Sequence, residues 1–319
     1  MRKRFISALL AVAIVAIAAA AATARPVGTN GKIVFNSDNL VTGEEQVYTV
    51  DPNGSDLKLI ANNSEVGQWS PDGSLVGLIG DAGERLFNPD TGASRDLGLP
   101  DRHYPGLLLF CGVWSPNATR LACEGFGTDD SSLNGVYTVR SSDGGGLQRV
   151  TSEPNGDDCP SDYSPDGNQL VVTRLDANGS SRLFTVAVDG SGQREIVPDS
   201  TNFNFCNGSW SPHGNRIVFS AHTPGDHHSS IWVVHPDGHG LRQIPIAGCG
   251  GANADPSGIG CFGPAWSPDG KKILFDRRVA SGQADLYTVN ADGSGLFQVT
   301  NTPTLDEGGA DWGTHPLTP

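Results

Sequence analysis

The stretch Trp266–Phe275, WSPDGKKILF, joins an aromatic residue to a short apolar run through a Ser-Pro-Asp-Gly sequence. Pro and Asp-Gly are typical of tight turns, and the apolar run is typical of a buried strand. The chain repeats the pattern with its aromatic residue at six positions: Trp69, Trp114, Tyr163, Trp210, Trp266 and Trp312. Subtracting successive positions gives spacings of 45, 49, 47, 56 and 46 residues. Because a catalytic residue is needed once and a structural unit many times, this repetition indicates the blades of a β-propeller.

Each copy contains four short strand patterns, A to D, separated by Gly, Pro, Asn or Asp. Strand A ends at the aromatic residue, B is a buried apolar run, C has patterns such as DLYTV, and D is short. The first copy begins at strand B, near Lys32, and the last copy ends at strand A, near Trp312. The sequence therefore predicts an all-β, six-bladed propeller of four-stranded antiparallel blades, with the C-terminal strand completing the N-terminal blade. We expect residues 25–319 to form this single domain.

Residues 1–24 have the features of a secretory signal peptide. The basic segment Met1–Arg4 precedes an apolar run from Phe5 to Ala22, and Ala22-Thr23-Ala24 is a small-residue cleavage pattern. The alternative is an uncleaved membrane anchor, because an apolar run of about 18 residues is just long enough to span a bilayer. The sequence predicts an exported protein, extracellular, periplasmic or associated with the cell envelope, with no membrane span after signal removal.

The chain is acidic, with a formal net charge of -14. Removal of the three basic residues of the predicted signal would give -17, since -14 minus 3 is -17. A strongly negative surface argues against nucleic acid and anionic membranes as partners. The 42 Gly and 21 Pro residues favour many short strands over helices. We expect a monomer that binds a protein or a cell-envelope component.

Six cysteine residues in an exported chain favour disulfides, although the sequence alone allows 15 pairings. The predicted pairs are Cys111 with Cys123, Cys249 with Cys261, and Cys159 with Cys206. The first two cysteines lie on opposite sides of the predicted turn at Asn117, where opposed strand residues are close enough for a bridge. Cys249 and Cys261 flank a Gly-rich loop, and Cys159 and Cys206 are the two cysteines that remain.

The repeat resembles that of TolB-type β-propellers, whose signature is WSPDG followed by kkIaF, then lyvvnaDGs and a terminal LT. The stretch from Trp266 to Pro303, WSPDGKKILFD…DLYTVNADGSGLFQVTNTP, is similar nearly throughout, and the likeness extends from Gly31 to Pro316. TolB proteins carry a separate α/β domain before the propeller, whereas the strand pattern here begins within about ten residues of the predicted cleavage site. The resemblance implies an exported six-bladed propeller without that domain. Similar blades occur in the non-catalytic propellers of prolyl-oligopeptidase-like enzymes.

Loops at one end of the predicted propeller are the expected binding surface, because binding residues favour loops on a rigid scaffold. The A-to-B and C-to-D turns are short, whereas the B-to-C and D-to-A connections at the opposite end are long and irregular. Acidic residues gather in the D-to-A loops, just before strand A: Glu65, Asp157, Asp158, Asp306 and Glu307. They predict a mouth that attracts a cation or a partner. The alternative is ordinary solvated acids on an acidic chain.

One B-to-C loop, HTPGDHH, is a weak candidate for a metal site. His222, His227 and His228 lie in it, and imidazole and carboxylate groups suit zinc or manganese. The alternative is a polar loop without a ligand, because the spacing matches no established metal motif. We expect no cofactor.

No GxSxG elbow and no HExxH motif occurs in the sequence. The prediction is therefore a non-catalytic exported propeller that binds a protein or cell-envelope component through its loop-rich end. The alternative is a metal-dependent enzyme acting on an acidic sugar in the central channel, because oligogalacturonate lyases resemble the same repeats and use a metal at the propeller centre. That alternative needs histidines from several blades, whereas the candidates here lie in one.

Overall fold

The computed structural model describes residues 27–80, 84–99, 104–178, 180–197, 202–203, 208–222, 228–250, 258–279 and 283–317. Strands dominate these residues, and a short 3-10 helix covers Ser131–Leu133. The described part contains no helix that is long and apolar enough to cross a membrane.

The repeat motif forms a tight turn between the first two strands of a blade. In the copy WSPDGKK, the Ser267 hydroxyl accepts a hydrogen bond from the Lys272 backbone N–H at 2.9 Å and donates one to Asp269 at 2.7 Å. Gly270 has a φ of 69°, in the left-handed region that favours glycine. Ala118 takes the same conformation, with a φ of 58°, in the copy that lacks the glycine. The turn geometry is therefore kept where its preferred residue is missing.

The strands form six antiparallel sheets, and the strand order within each sheet is A, B, C, D from the central channel outward. Blade 1 consists of β25 (Leu305–Trp312), β1 (Ile33–Asn39), β2 (Glu45–Val50) and β3 (Lys58–Asn62). Blade 2 consists of β4 (Ser64–Trp69), β5 (Val76–Gly80), β6 (Arg85–Phe87) and β7 (Ser94–Asp96). Blade 3 consists of β8 (Leu107–Trp114), β9 (Arg120–Gly127), β10 (Gly135–Arg140) and β11 (Gln148–Arg149).

The other three blades follow the same order, except that the inner strand of blade 5 is divided in two. Blade 4 consists of β12 (Asp157–Tyr163), β13 (Gln169–Leu175), β14 (Ser181–Ala187) and β15 (Arg194–Glu195). Blade 5 consists of β16 (Asn202–Phe203), β17 (Ser209–Trp210), β18 (Ile217–His222), β19 (Ser230–Val234) and β20 (Arg242–Gln243). Blade 6 consists of β21 (Gly258–Trp266), β22 (Lys272–Val279), β23 (Ala284–Asn290) and β24 (Phe297–Gln298).

The C-terminal strand closes the ring, as the sequence predicts. β25 pairs with β1, and Ile33 lies opposite Trp312. The Trp312 indole N–H donates to the Gly31 carbonyl at 2.9 Å, and the Gly31 N–H donates to the Gly313 carbonyl at 3.0 Å. The predicted fold class, an all-β six-bladed propeller, is confirmed.

The six repeat aromatics are buried, between 0% and 7% exposed. Trp114 illustrates their environment, because it belongs to one buried apolar cluster with Leu86 and Leu97 of blade 2 and Leu121 of its own blade. Stacking of the blades therefore buries both faces of each sheet.

Two of the predicted disulfides are present. Cys111 and Cys123 occupy directly opposed positions of β8 and β9 and are bonded, as are Cys249 and Cys261. Cys159 is also disulfide-bonded. Cys206, its predicted partner, lies outside the described residues.

Polar side chains of one blade also accept hydrogen bonds from the inner strand of the next blade. The Asn36 Oδ1 atom in blade 1 accepts the backbone N–H of Val66 in blade 2 at 2.5 Å. The Glu84 Oε1 atom in blade 2 accepts the N–H of Cys111 in blade 3 at 2.6 Å. Val66 and Cys111 both lie three residues before the repeat aromatic of their blade. Equivalent contacts therefore come from different strands, since Asn36 is in strand B and Glu84 immediately precedes strand C.

Candidate functional site

An open pocket of about 240 Å³ lies where blade 1 meets blades 2 and 6 at the loop-rich end of the ring. The C-terminal ends of β1 and β22 and the N-terminal ends of β2, β4 and β25 line it. Its charged lining residues are Asp38, Glu45, Glu65, Arg278, Asp306 and Glu307. Carboxyl groups therefore outnumber the single guanidinium in the lining, and we call this the acidic pocket.

Three carboxylates of the acidic pocket stand side by side on adjacent strands. Asp38 of β1 is directly opposite Glu45 of β2 on one side and Asp306 of β25 on the other. Like charges at directly opposed positions are destabilising. Arg278 relieves only one of them, since its Nη1 atom lies 2.8 Å from Asp306 Oδ2. Within the described part of the chain, Asp38, Glu45 and Glu65 form no ion pair.

Two further lining residues are buried. Glu307 accepts hydrogen bonds from the hydroxyls of Thr300 and Thr302. Burial raises the pKa of Glu307 to about 7, against the opposing effect of those hydrogen bonds. Ser37, directly opposite Glu307, is 2% exposed, and its hydroxyl has no hydrogen-bond partner. The hydroxyl oxygen has no accessible surface, so Ser37 contributes to the lining without presenting its hydroxyl to a guest.

Exposed aliphatic side chains lie in the turn that joins two of the strands lining the acidic pocket. The turn between β1 and β2 carries Leu40 and Val41, which are 56% and 76% exposed. The Leu40 backbone N–H donates to the Thr304 carbonyl at 2.9 Å, which fixes the turn against the segment that precedes β25. These two exposed side chains lie in the turn between Asp38 and Glu45 and outside the pocket lining.

The five acids predicted from the sequence lie in two places. Glu65, Asp306 and Glu307 line the acidic pocket, whereas Asp157 and Asp158 begin β12 in blade 4. All five belong to inner strands and not to the loops before them, because strand A pairs with strand B over a longer stretch than the sequence pattern indicates.

The blade 4 acids are largely neutralised or buried. The Arg174 guanidinium binds Asp158 in a bidentate manner, with Nε 2.6 Å from Oδ1 and Nη2 2.7 Å from Oδ2. Burial, and then the charge of Asp158, raise the pKa of Asp157. Burial likewise raises the pKa of the neighbouring Glu124 to about 7, with Asp157 and Asp158 adding to the effect. These groups are unlike the exposed, unpaired carboxylates of the acidic pocket.

Among the lining residues of the acidic pocket that sequence reasoning missed are Ser37, Asp38, Glu45 and Arg278. They lie in strands B and C, whose sequence pattern indicates structure and carries no signal of a site. Counting the strand register outward from the repeat aromatic would have placed Asp38 opposite two other carboxylates. The approach of Arg278 from blade 6 depends on ring closure, which no local pattern specifies.

The weak metal candidates remain a prediction. His222 ends β18 and only its backbone is described, His227 lies outside the described residues, and His228 is partly buried. Among the side chains that the structure describes, no three His, Cys, Asp or Glu residues are grouped closely enough to hold a metal ion.

The central channel holds a cavity of about 210 Å³ lined by all six inner strands. Two positions before each aromatic the residue is small or compact: Gly67, Gly112, Ser161, Gly208, Pro264 and Ala310. A Cβ atom at Gly67 would lie 2.6 Å from the Gly112 Cα atom, so the inner strands of blades 2 and 3 require glycine there. The Gln68 side chain donates to the Ser161 carbonyl of blade 4 at 3.2 Å and narrows the channel. The channel is therefore lined mainly by backbone and small side chains, with few groups for chemistry.

The chain matches no protein-family model and no curated protein sequence. Among solved structures it is similar to TolB from Acinetobacter baumannii, with a TM-score of 0.70 and 16% identity over 90% of this chain and 67% of that one. A putative TolB from Agrobacterium tumefaciens gives a TM-score of 0.61 and 15% identity, over 89% of this chain and 99% of that one. An oligogalacturonate lyase in complex with manganese gives a TM-score of 0.58 and 15% identity, over 81% of this chain and 71% of that one. At such identities the likeness concerns the fold, and the chain has the six-bladed β-propeller fold of the TolB structures.

Proposed function

We propose that the protein is an exported, non-catalytic β-propeller that binds a protein or cell-envelope component at its loop-rich end. The acidic pocket beside Leu40 and Val41 is the observation that carries this function. Exposed apolar side chains next to unpaired charges are the composition of a protein-binding surface. The six stacked blades hold that surface rigidly, so little ordering entropy is lost on binding.

Export is supported by residue chemistry. Residues 1–24 have the pattern of a secretory signal, and disulfides such as Cys111–Cys123 and Cys249–Cys261 persist in oxidising compartments. The partner is therefore sought among extracellular and envelope components.

The function is tested by affinity capture with the full chain, carrying a C-terminal tag, in native envelope extract of the source cells. Captured proteins are cross-linked and identified by mass spectrometry. We expect one saturable partner, which is lost from a variant with Asp38→Asn, Glu45→Gln and Glu65→Gln. A chain that captures nothing above the level of an untagged control contradicts the proposal.

A second candidate is a metal-dependent enzyme acting on an acidic sugar, supported by the fold likeness to the manganese-bound oligogalacturonate lyase. It is tested by measuring metal content after purification and by assaying cleavage of oligogalacturonate with added manganese. Stoichiometric metal, lost together with activity in His222→Ala or His228→Ala, would favour this enzyme over the binding module.

A further inference from the structure

We propose that a pocket between blades 6 and 1 binds a small organic carboxylate with an apolar hydrocarbon part. The pocket has a volume of about 400 Å³ and lies at the short-turn end of the ring, away from the acidic pocket. We call it the seam pocket, because it lies where β25 closes the ring. A volume of about 300–1,000 Å³ is typical of small-molecule sites. The lining residues that carry the proposal are Asn30, Asn53, Lys272, Thr288, Phe297 and Leu317.

Three strands of blade 6 each direct one of these side chains toward blade 1. Thr288 of β23 lies directly opposite Leu274 of β22 and Phe297 of β24. Opposed residues share a face of the sheet, and Lys272 shares that face because it lies two residues before Leu274. Leu274 belongs to one buried apolar cluster with Trp312 of blade 1, which identifies the face as the one that meets blade 1. The three side chains therefore line the seam pocket from the same side.

The ammonium group of Lys272 has no partner. Lys272 is partly buried, and within the described part of the chain its side chain forms no ion pair and no hydrogen bond. Arg120 occupies the same repeat position in blade 3 and is fully engaged there. It donates to the Thr138 hydroxyl at 2.9 Å and to the Thr138 and Gly146 carbonyls at 2.7 Å. The repeat therefore does not require an unpaired cation at this position.

Blade 1 shows which groups the lysine of blade 6 lacks. At the same position Lys32 forms ion pairs with Asp51 and Asp56, both at 2.6 Å. The strand register makes Asn290 the blade 6 equivalent of Asp51, and five residues later Gly295 is the equivalent of Asp56. Both replacements remove a carboxylate beside the lysine. A carboxylate carried by a ligand would supply the charge-assisted hydrogen bonds that the two aspartates supply in blade 1.

The Thr288 hydroxyl is a second unused group in the seam pocket. Thr288 is 2% exposed, and its hydroxyl forms no hydrogen bond with any described residue. In contrast to the Ser37 hydroxyl, its oxygen is not fully enclosed. Buried polar groups nearly always have a partner. Because a hydroxyl can donate, one carboxylate can accept from Thr288 and from the Lys272 ammonium together.

Two asparagines on the blade 1 side add further donors. The Asn30 Oδ1 atom accepts the backbone N–H of Asp269 at 3.1 Å, and the Asn53 Oδ1 atom accepts that of Ser55 at 2.9 Å. Since a backbone N–H only donates, these bonds leave each Nδ2 group as a donor without a described partner. No Asp or Glu is among the described residues that line the seam pocket. One positive charge and several neutral donors suit a monoanion better than a phosphate, which carries nearly two charges.

The apolar lining indicates that the anion is organic. Phe297 and Leu317 are each 45% exposed. An inorganic anion bound at Lys272 would leave both side chains in water, whereas an aryl or alkyl group would cover them. The seam pocket therefore joins a site for the charge to a surface for the hydrocarbon part.

The probe is 3-phenylpropionate, titrated into the isotopically labelled full chain and followed by two-dimensional NMR. Matched compounds are the neutral 3-phenylpropionamide, the cationic 3-phenylpropylamine, and acetate, which lacks the apolar part. We expect saturable shifts at the amides of Lys272, Thr288 and Phe297 with 3-phenylpropionate, and binding at least about tenfold weaker for each matched compound. Equal binding of the neutral amide, or no saturable shift up to about 10 mM 3-phenylpropionate, would overturn the proposal.

The charge is tested by Lys272→Gln, with Arg216→Gln as control. Arg216 occupies the same repeat position in blade 5, is also partly buried and has no described partner for its side chain. Both variants therefore lose one unpaired positive charge from equivalent positions. We expect Lys272→Gln to bind 3-phenylpropionate at least about tenfold more weakly and Arg216→Gln to bind it normally. Equal losses would mean nonspecific attraction and would reject the site.

The hydroxyl is tested by Thr288→Val, with Thr185→Val as control. Thr185 has the same register position in blade 4, is also 2% exposed and has no described hydrogen-bond partner. Valine keeps the shape of the side chain, so we expect both variants to fold. Only Thr288→Val should weaken 3-phenylpropionate binding, by about three- to tenfold. Unchanged affinity in Thr288→Val would place the carboxylate elsewhere and contradict the proposed site.

A further variant tests whether the chain itself fills the seam pocket. Leu317 lines the pocket, and Thr318 and Pro319 follow it in the sequence. We expect deletion of these two residues to leave 3-phenylpropionate binding unchanged. Binding that appears only after the deletion would assign the pocket to those residues and overturn the proposal. Since the seam pocket lies at the short-turn end, none of these results depends on a partner bound at the loop-rich end.

Discussion

At the scale of single residues, Glu84 occupies a position that the other five blades give to an aliphatic side chain. Those side chains are Val47, Val136, Leu183, Ile231 and Leu286, each opposite a polar residue of strand B. In blade 2 the types are exchanged, because continuing the register from Leu78 and Arg85 puts Ile79 opposite Glu84. Glu84 is 4% exposed, and its Oε2 atom has no hydrogen-bond partner. Burial raises the pKa of Glu84 to about 8, against the opposing N–H of Cys111.

Glu84→Gln should remove a pH dependence of folding. The folded-state pKa of about 8 lies above the ordinary value of 4.5. Between these two pH values the folded chain therefore holds a proton on Glu84 that the unfolded chain releases. The stabilisation is therefore complete below pH 4.5 and is lost as the pH rises through 8. Glutamine keeps an oxygen for the Cys111 N–H and carries no charge, so the variant should gain stability relative to wild type across that range.

The measurement is the free energy of unfolding by denaturant at several pH values, with the exposed Glu44→Gln as control. The difference between Glu84→Gln and wild type should grow from pH 5 to pH 8, whereas Glu44→Gln should run parallel to wild type. A constant difference for Glu84→Gln would show that the carboxyl titrates normally in the folded chain.

At the scale of elements, the inner strands of blades 2 and 3 each present a backbone N–H toward the preceding blade, three residues before the aromatic. Asn36 accepts that N–H from Val66, and Glu84 accepts it from Cys111. In β12 the equivalent residue is Pro160, which has no N–H. Glu124 of blade 3 faces the start of β12, and its buried Oε1 atom has no hydrogen-bond partner. The missing donor accounts for that unsatisfied oxygen.

Pro160→Ala should supply the missing donor to Glu124. The new hydrogen bond to a charged acceptor is worth about 1.5–3 kcal/mol, whereas the added freedom of the unfolded chain costs about 0.4–1 kcal/mol. We expect net stabilisation at pH 8 and a lower pKa of Glu124 in a carbon-13 NMR titration. Pro264→Ala, in the inner strand of blade 6, is the control without a facing glutamate. If the gain persists in a Glu124→Leu background, which has no acceptor oxygen, the proposed bond does not exist.

Much of this element-level order could be predicted from the sequence, because the aromatic of each copy fixes a register. Counting from the turn places Cys111 opposite Cys123, and the structure has that pair. Counting could also have revealed the exchange of Ile79 and Glu84. The acidic pocket was only partly predictable, since Glu65 and Arg278 come from blades 2 and 6 and meet only when the ring is complete. Side-chain reach across blades leaves no periodic signal in the sequence.

At the scale of the whole molecule, two sets of carboxyl groups act on stability in opposite directions. Burial is the main cause that raises the pKa of four carboxyl groups, to about 8 for the first and about 7 for the others: Glu84, Glu124, Asp276 and Glu307. In three repeat turns burial acts to raise the carboxyl pKa, but hydrogen bonds from serine hydroxyls and backbone N–H groups hold it below its ordinary value: Asp72, Asp166 and Asp269.

The ring should therefore be most stable in mildly acidic solution. The four carboxyl groups with raised pKa values stabilise the folded chain fully when the pH is below their ordinary pKa. They lose that contribution as the pH rises through 7 and 8. The turn aspartates stabilise above their ordinary value of 3.8 and lose that contribution as the pH falls below it. Thermal unfolding from pH 3 to pH 9 should give a maximum between about pH 4.5 and 6.5. The variant Glu84→Gln, Glu124→Gln, Asp276→Asn and Glu307→Gln should flatten the alkaline side only. A control that neutralises four exposed carboxyl groups, Glu44→Gln, Asp189→Asn, Asp237→Asn and Asp292→Asn, should keep the wild-type alkaline slope. Equal flattening in both variants would assign the effect to net charge and not to the buried carboxyl groups.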